Sequence, residues 1–106
     1  MTASPDRSLF NVNLFTPRAG QADAFRQVQL DRLPRFAAMP GLLTSRLFAE
    51  EGGDRFLLLS GLESIEAHRA FMATPEFGAH RERLLPLIEQ SDSRYWRLIY
   101  ARGTSD

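Results

Sequence analysis

The spacing of apolar residues along this chain switches back and forth between the strand period and the helix period, and the order of the switches leaves few folds open. Ser8 to Thr16, SLFNVNLFT, is rich in Phe, Val and Leu and stops at Thr16-Pro17 and Gly20, which reads as a strand and a turn. Phe10, Val12 and Leu14 form an apolar row on it, and Leu9, Asn11, Asn13 and Phe15 form a mixed one. One row should meet helices, and the other should line something more polar. From Gln21 the period becomes helical: Ala22, Phe25, Val28, Leu33, Phe36 and Met39 share an arc opposite Asp23, Gln27 and Asp31, with Pro34 expected to kink the helix or end its regular bonding. Leu42 to Ala49 reads as a second strand, Glu51 to Asp54 as a hairpin turn and Arg55 to Leu62 as a third strand. Ser64 caps a helix running to Met72, a proline-initiated helix is expected from Pro75 through Gln90, and Arg94 to Ala101 reads as the last strand.

The order strand, helix, strand, strand, helix, strand, joined by right-handed crossovers, predicts an α+β, ferredoxin-like βαββαβ fold: a four-stranded antiparallel sheet with the helices on one face. It occupies residues 8–102 as one domain, with polar tails at 1–7 and 103–106. The strands are apolar on both faces, as in Phe56, Leu58 and Leu62 against Leu57 and Leu59. Helices on one side leave the other bare, so the expected partner is a second copy, sheet against sheet, enclosing a cavity and forming a homodimer.

Composition then limits the chemistry. All thirteen basic residues are arginine and there is no cysteine, which removes Schiff-base lysines, thiol nucleophiles and thiolate metal sites. Thirteen acidic residues bring the formal charge to zero, which argues against nucleic acid or an anionic membrane as partner. No apolar run approaches a membrane span and the N-terminus has no signal-like apolar core, so a cytoplasmic location is the simplest expectation. The two histidines are twelve residues apart across Pro75, a spacing that suits no helical metal site.

Several short pieces resemble the antibiotic biosynthesis monooxygenase family of dimeric α+β barrels. They are the strand and turn ending at Gly20, Pro40-Gly41, Arg55 to Leu59, Glu63 to His68, Pro75-Glu76-Phe77 and Leu84 to Ile88. The resemblance implies a monooxygenase that oxidises an aromatic or hydroquinone-like substrate with molecular oxygen inside the dimeric barrel. In its cofactor-free members the substrate supplies the electrons, and the protein binds, deprotonates and excludes water. Haem-degrading members and non-catalytic ligand-binding barrels are the alternatives.

Asn13 stands seven residues before Gly20, where such relatives carry a cavity asparagine, and with His80 it is the candidate catalytic pair; Asn11 repeats the amide on the same face. His80 stands one position before the proximal histidine of haem-degrading relatives, and Phe71 replaces their tryptophan, so no cofactor is expected. Tyr95 and Trp96 point to opposite faces, one toward the helices and one toward the cavity. Phe15 and Phe71 are further candidates for the cavity wall. Arg46 and Arg97, mid-strand charges, are at an edge, paired across the dimer, or aimed at an anionic ligand.

Overall fold

The computed structural model describes residues 7–103; the remaining positions of the two expected tails lie outside the described residues. Strands β1 (Leu9–Pro17), β2 (Leu42–Ala49), β3 (Phe56–Leu62) and β4 (Ile88–Arg97) form one antiparallel sheet in the order β2-β3-β1-β4. Helices α1 (Ala22–Arg32), α2 (Ile65–Met72) and α3 (Pro75–Leu84) cover one face of it. This is the ferredoxin-like α+β fold. Its smallest dimension, 20 Å, is that of one sheet and one helical layer.

Local chemistry sets the boundaries. Pro34 lies in a 3-10 turn, Leu33–Phe36, that ends α1 rather than kinking a continuous helix to Met39. Ser64 caps α2 by accepting from the Ala67 N–H at 3.0 Å. In the β2–β3 hairpin Gly52 takes φ 76°, and the Glu50 carboxylate binds the Arg55 guanidinium at 2.6 Å. Gly41 takes φ 87°, which an L side chain rarely adopts, and a Cβ there would stand 2.5 Å from that of Ala67.

The last helix and strand depart from the sequence reading. α3 ends at Leu84, because Pro86 has no N–H to continue it and enters a 3-10 turn, Leu85–Leu87. β4 therefore starts at Ile88, six residues early, and pairs Gln90, Ser91 and Asp92 with Thr16, Phe15 and Leu14. It also stops at Arg97, one residue before Leu98, whose N–H donates to the Ser8 carbonyl at 2.7 Å.

The core at one end of the sheet is a column of rings, Phe15 and Phe56 on either side of Phe25 with centroids 5.0 and 4.9 Å away, closed by Leu84. Each buried phenylalanine contributes roughly 1.5–3 kcal/mol. The mixed row of β1 is the one that meets the helices. Phe10, Val12 and Leu14 face the uncovered side with Leu57, Leu59 and Phe48, so the apolar row is the outward one. Among the described residues no helix is long and apolar enough to cross a membrane.

Candidate active site

Past the ring column, two cross-sheet rows floor a cavity of about 60 Å³ between sheet and helices. Strand register aligns Ser45, Ser60, Asn11 and Tyr95 in one row and Leu47, Leu58, Asn13 and Ser93 in the next. The roof is Phe71 and Met72 from α2, Phe77 and His80 from α3, and Phe36 from the 3-10 turn. Thr74 locks the two short helices to each other: its hydroxyl caps α3 by accepting from Phe77 N–H at 3.3 Å and donates to the Phe71 carbonyl at 2.7 Å. Phe71 stands edge-on to Phe36 at 5.2 Å and to Phe77 at 5.0 Å, so the roof is largely aromatic.

The polar groups divide by whether the protein itself satisfies them. Asn11 is tied down, its amide donating to Ser93 Oγ at 2.9 Å and to the Arg94 carbonyl at 3.3 Å. The Asn13 Oδ1 is buried with no protein partner. His68 Nδ1 meets the Tyr95 hydroxyl at 2.7 Å, with the rings perpendicular, and burial lowers the His68 pKa. His80 Nε2 lies 3.0 Å from Gln29 Oε1, while His80 Nδ1 is buried and unpartnered. Burial, helped by the nearby Arg32 charge, pushes the His80 pKa from its usual 6.5 to about 4, so the ring is neutral at physiological pH. No charged side chain lines the cavity.

A groove of about 350 Å³ between the 3-10 turn and β2 shares Leu33, Phe36, Leu42 and Ser45 with the cavity. These four side chains are the partition between the two. The cavity alone admits only a few water-sized molecules, well below the roughly 300–1,000 Å³ of typical ligand pockets. A larger ligand must displace Leu33 or Phe36 toward the groove.

The site is a chamber roofed by aromatic rings that holds a neutral imidazole. The sequence profile described as "Antibiotic biosynthesis monooxygenase" matches residues 8–83. The chain belongs to this family. SnoaB, a cofactor-independent oxygenase from Streptomyces nogalater, is 26% identical over 92% of this chain and 96% of its own, with a TM-score of 0.75. A Pseudomonas aeruginosa protein, 14% identical over 92% of this chain and 100% of its own, shares the fold at a TM-score of 0.81. No curated protein matches the sequence.

Among the residues singled out from sequence, Asn11, Asn13, Phe71 and His80 meet at the family fold's cavity, and Tyr95 reaches it through His68. This cavity lies within one chain, between sheet and helices. Phe15 is in the ring column outside it. Trp96 pairs with Phe10 on the uncovered face and is 56% exposed. Arg46 shares that face, beside Leu59, and Arg97 ends β4 with its guanidinium on Ser8 Oγ at 3.0 Å. His80 is not placed as a haem ligand, since its Nε2 is committed to Gln29 at 3.0 Å. Among the described residues no three acidic or histidine side chains are placed to hold a metal.

Sequence reasoning missed Gln29, Phe36, Phe77 and the three serines of the floor. Gln29 left a readable signal, an amide seven residues after Ala22 and four after Phe25 on the apolar stripe of α1. The serines are visible only once strand register is known.

Proposed function

We propose that this protein is a small monooxygenase that oxidises an aromatic, hydroquinone-like substrate with molecular oxygen and without a tightly bound cofactor. The observation that carries the reading is the pair of buried, unpartnered acceptors, Asn13 Oδ1 and His80 Nδ1, in an uncharged chamber roofed by the Phe36, Phe71 and Phe77 rings. Buried polar groups without partners cost folding free energy, and such sites are commonly kept for function. SnoaB, the cofactor-independent oxygenase, supports the absence of a cofactor.

In this reading the substrate supplies every electron. A methylene between phenol rings becomes a carbonyl; one oxygen atom of O2 stays there and the other leaves as water with the two hydrogens. Asn13 orients a hydroxyl of the substrate. His80 receives the proton released as the ring gives up electrons, and the Phe36, Phe71 and Phe77 rings keep water out. The protein works as a homodimer, its second copy covering the apolar outer face that carries Trp96 and Leu59, with Ile99 93% exposed beside it.

Incubation with an anthrone, with and without oxygen, tests the reading. Product should form only aerobically, and in step with oxygen uptake. His80→Phe should lower kcat by roughly 10²–10⁴, the usual worth of a positioned base. Asn13→Ala should cost about 10-fold or more. Equal product in the two atmospheres, or activity unchanged by both substitutions, would exclude it.

A further inference from the structure

Gln29 is the polar side chain that the reaction outlined above leaves unexplained. It is 0% exposed, on the same stripe of α1 as Ala22 and Phe25, where an apolar residue of equal size would pack without desolvating an amide. Burying an incompletely bonded amide costs about 1–3 kcal/mol. Its Nε2 finds no protein partner, so the cost is offset by one hydrogen bond, which Oε1 accepts from His80 Nε2 at 3.0 Å, across fifty-one residues of sequence. His80 itself is 3% exposed, with Phe36 edge-on at 5.3 Å and Phe77 at 6.2 Å, so little else fixes its protons.

The chemistry of that one contact decides what the cavity sees. A carbonyl oxygen only accepts, so with the Gln29 amide oriented as it stands the nitrogen facing it carries the hydrogen. A neutral imidazole has one such hydrogen. Nδ1 is then a bare lone pair, and it is Nδ1 that is buried and unpartnered. Asn13 Oδ1 adds a second acceptor, and no charged side chain lines the chamber to favour an anion.

We propose that Gln29 is a positioning residue for His80: by accepting from Nε2–H it holds the ring in the tautomer that offers Nδ1 to the cavity, which thereby selects a ligand arriving as a neutral hydroxyl donor. The inference rests on the reading of His80 as proton acceptor and adds to it both the residue that makes it one and the form in which the substrate binds. The phenol is taken up rather than the phenolate, and its proton leaves only during oxidation.

Long-range ¹H–¹⁵N NMR of the full-length protein near neutral pH reads which nitrogen of each imidazole is protonated, with no ligand and no turnover. The other histidine, His68, is assigned through a His68→Asn variant. His80 should carry its proton on Nε2. In Gln29→Leu, which keeps the size and removes the acceptor, that preference should collapse toward a mixture. In Gln29→Glu the acceptor stays and gains charge, so Nε2–H should persist while the His80 titration midpoint rises toward or above the ordinary value. Arg32, the charged group acting on His80 in the native protein, is present in every variant and so cancels in the comparison. Hydroquinone should shift the His80 signals, and its dimethyl ether, which cannot donate, should not.

A wild-type ring protonated on Nδ1, an unchanged tautomer in Gln29→Leu, or equal response to the ether would each overturn the proposal. Should Gln29→Leu fail to fold, the wild-type spectrum and the Gln29→Glu titration still decide it. None of these signals depends on oxygen chemistry. An inactive protein with the expected tautomer would refute the monooxygenase reading alone, and an active one protonated on Nδ1 would refute the role of Gln29 alone.

Discussion

A neutral imidazole sealed in a protein interior couples the site to folding, and His80 allows the coupling to be stated with its sign. In the unfolded chain this ring titrates near 6.5, and in the folded one near 4. Between those values the unfolded state binds a proton that the folded state does not, so stability is at its full value above pH 6.5 and falls as the pH drops toward 4. The loss from His80 should be on the order of 3 kcal/mol, and His68, whose pKa burial also lowers, acts in the same direction. Urea midpoints from pH 7.5 to 4 measure it. Wild type should weaken steeply over that span, whereas His80→Phe should show a shallower dependence; parallel curves would mean that the ring titrates alike in the folded and unfolded states. Asn13 makes the complementary point, since its orphaned oxygen does not titrate and its substitution should leave the pH profile of stability alone.

The connections between elements carry more of the site than their length suggests. Gly41 sits where the chain turns from α1 into β2, accepting from Glu63 N–H at 3.0 Å and lying against Ala67 of α2. Gly41→Ala meets both an unfavourable φ and a clash with Ala67, so it should cost about 2 kcal/mol or more in thermal or urea unfolding and displace α2, which holds His68 and Phe71. A variant as stable as wild type would show that α2 can give way at no cost. The same contrast between local and long-range causes explains what could be read from the residues alone. The turn at Gly52, the caps at Ser64 and Thr74-Pro75, and the break at Pro34 are written in residues a few positions apart, and each marks a real boundary. The start of β4 is not so written: Glu89 to Arg94 is a polar run held in the sheet by the backbone of β1. The apolar stretch after it looks more like a strand yet is not in the sheet among the described residues. At the site, Asn13 and His80 stood out as unusual residues, but their difference from Asn11 and His68 lies in hydrogen-bond partners from distant segments, which no local pattern reveals. Which row of β1 meets the helices was not legible for a related reason, because the mixed row serves both core and cavity: Phe15 packs in the ring column while Asn11 and Asn13 line the chamber.

For the molecule as a whole, one layer of helices over one sheet leaves an apolar outer face, the seat of the second copy in the proposed dimer. Light scattering at micromolar concentration should return twice the chain mass. Trp96→Asp, on that face and outside the cavity, should shift the protein toward monomer with its far-ultraviolet circular dichroism retained; a wild-type monomer would remove the dimer from the proposal. Successive residues of β1 belong to opposite sides of the sheet: Val12 outward and Asn13 in, Leu14 outward and Phe15 in. The cavity is thus divided from the outer surface by a single ply of backbone. That ply is stiff, being hydrogen-bonded to β3 on one side and β4 on the other, so it cannot yield at one face without moving the other. Whatever presses on Val12 from outside is felt by the acceptor oxygen of Asn13 one peptide away.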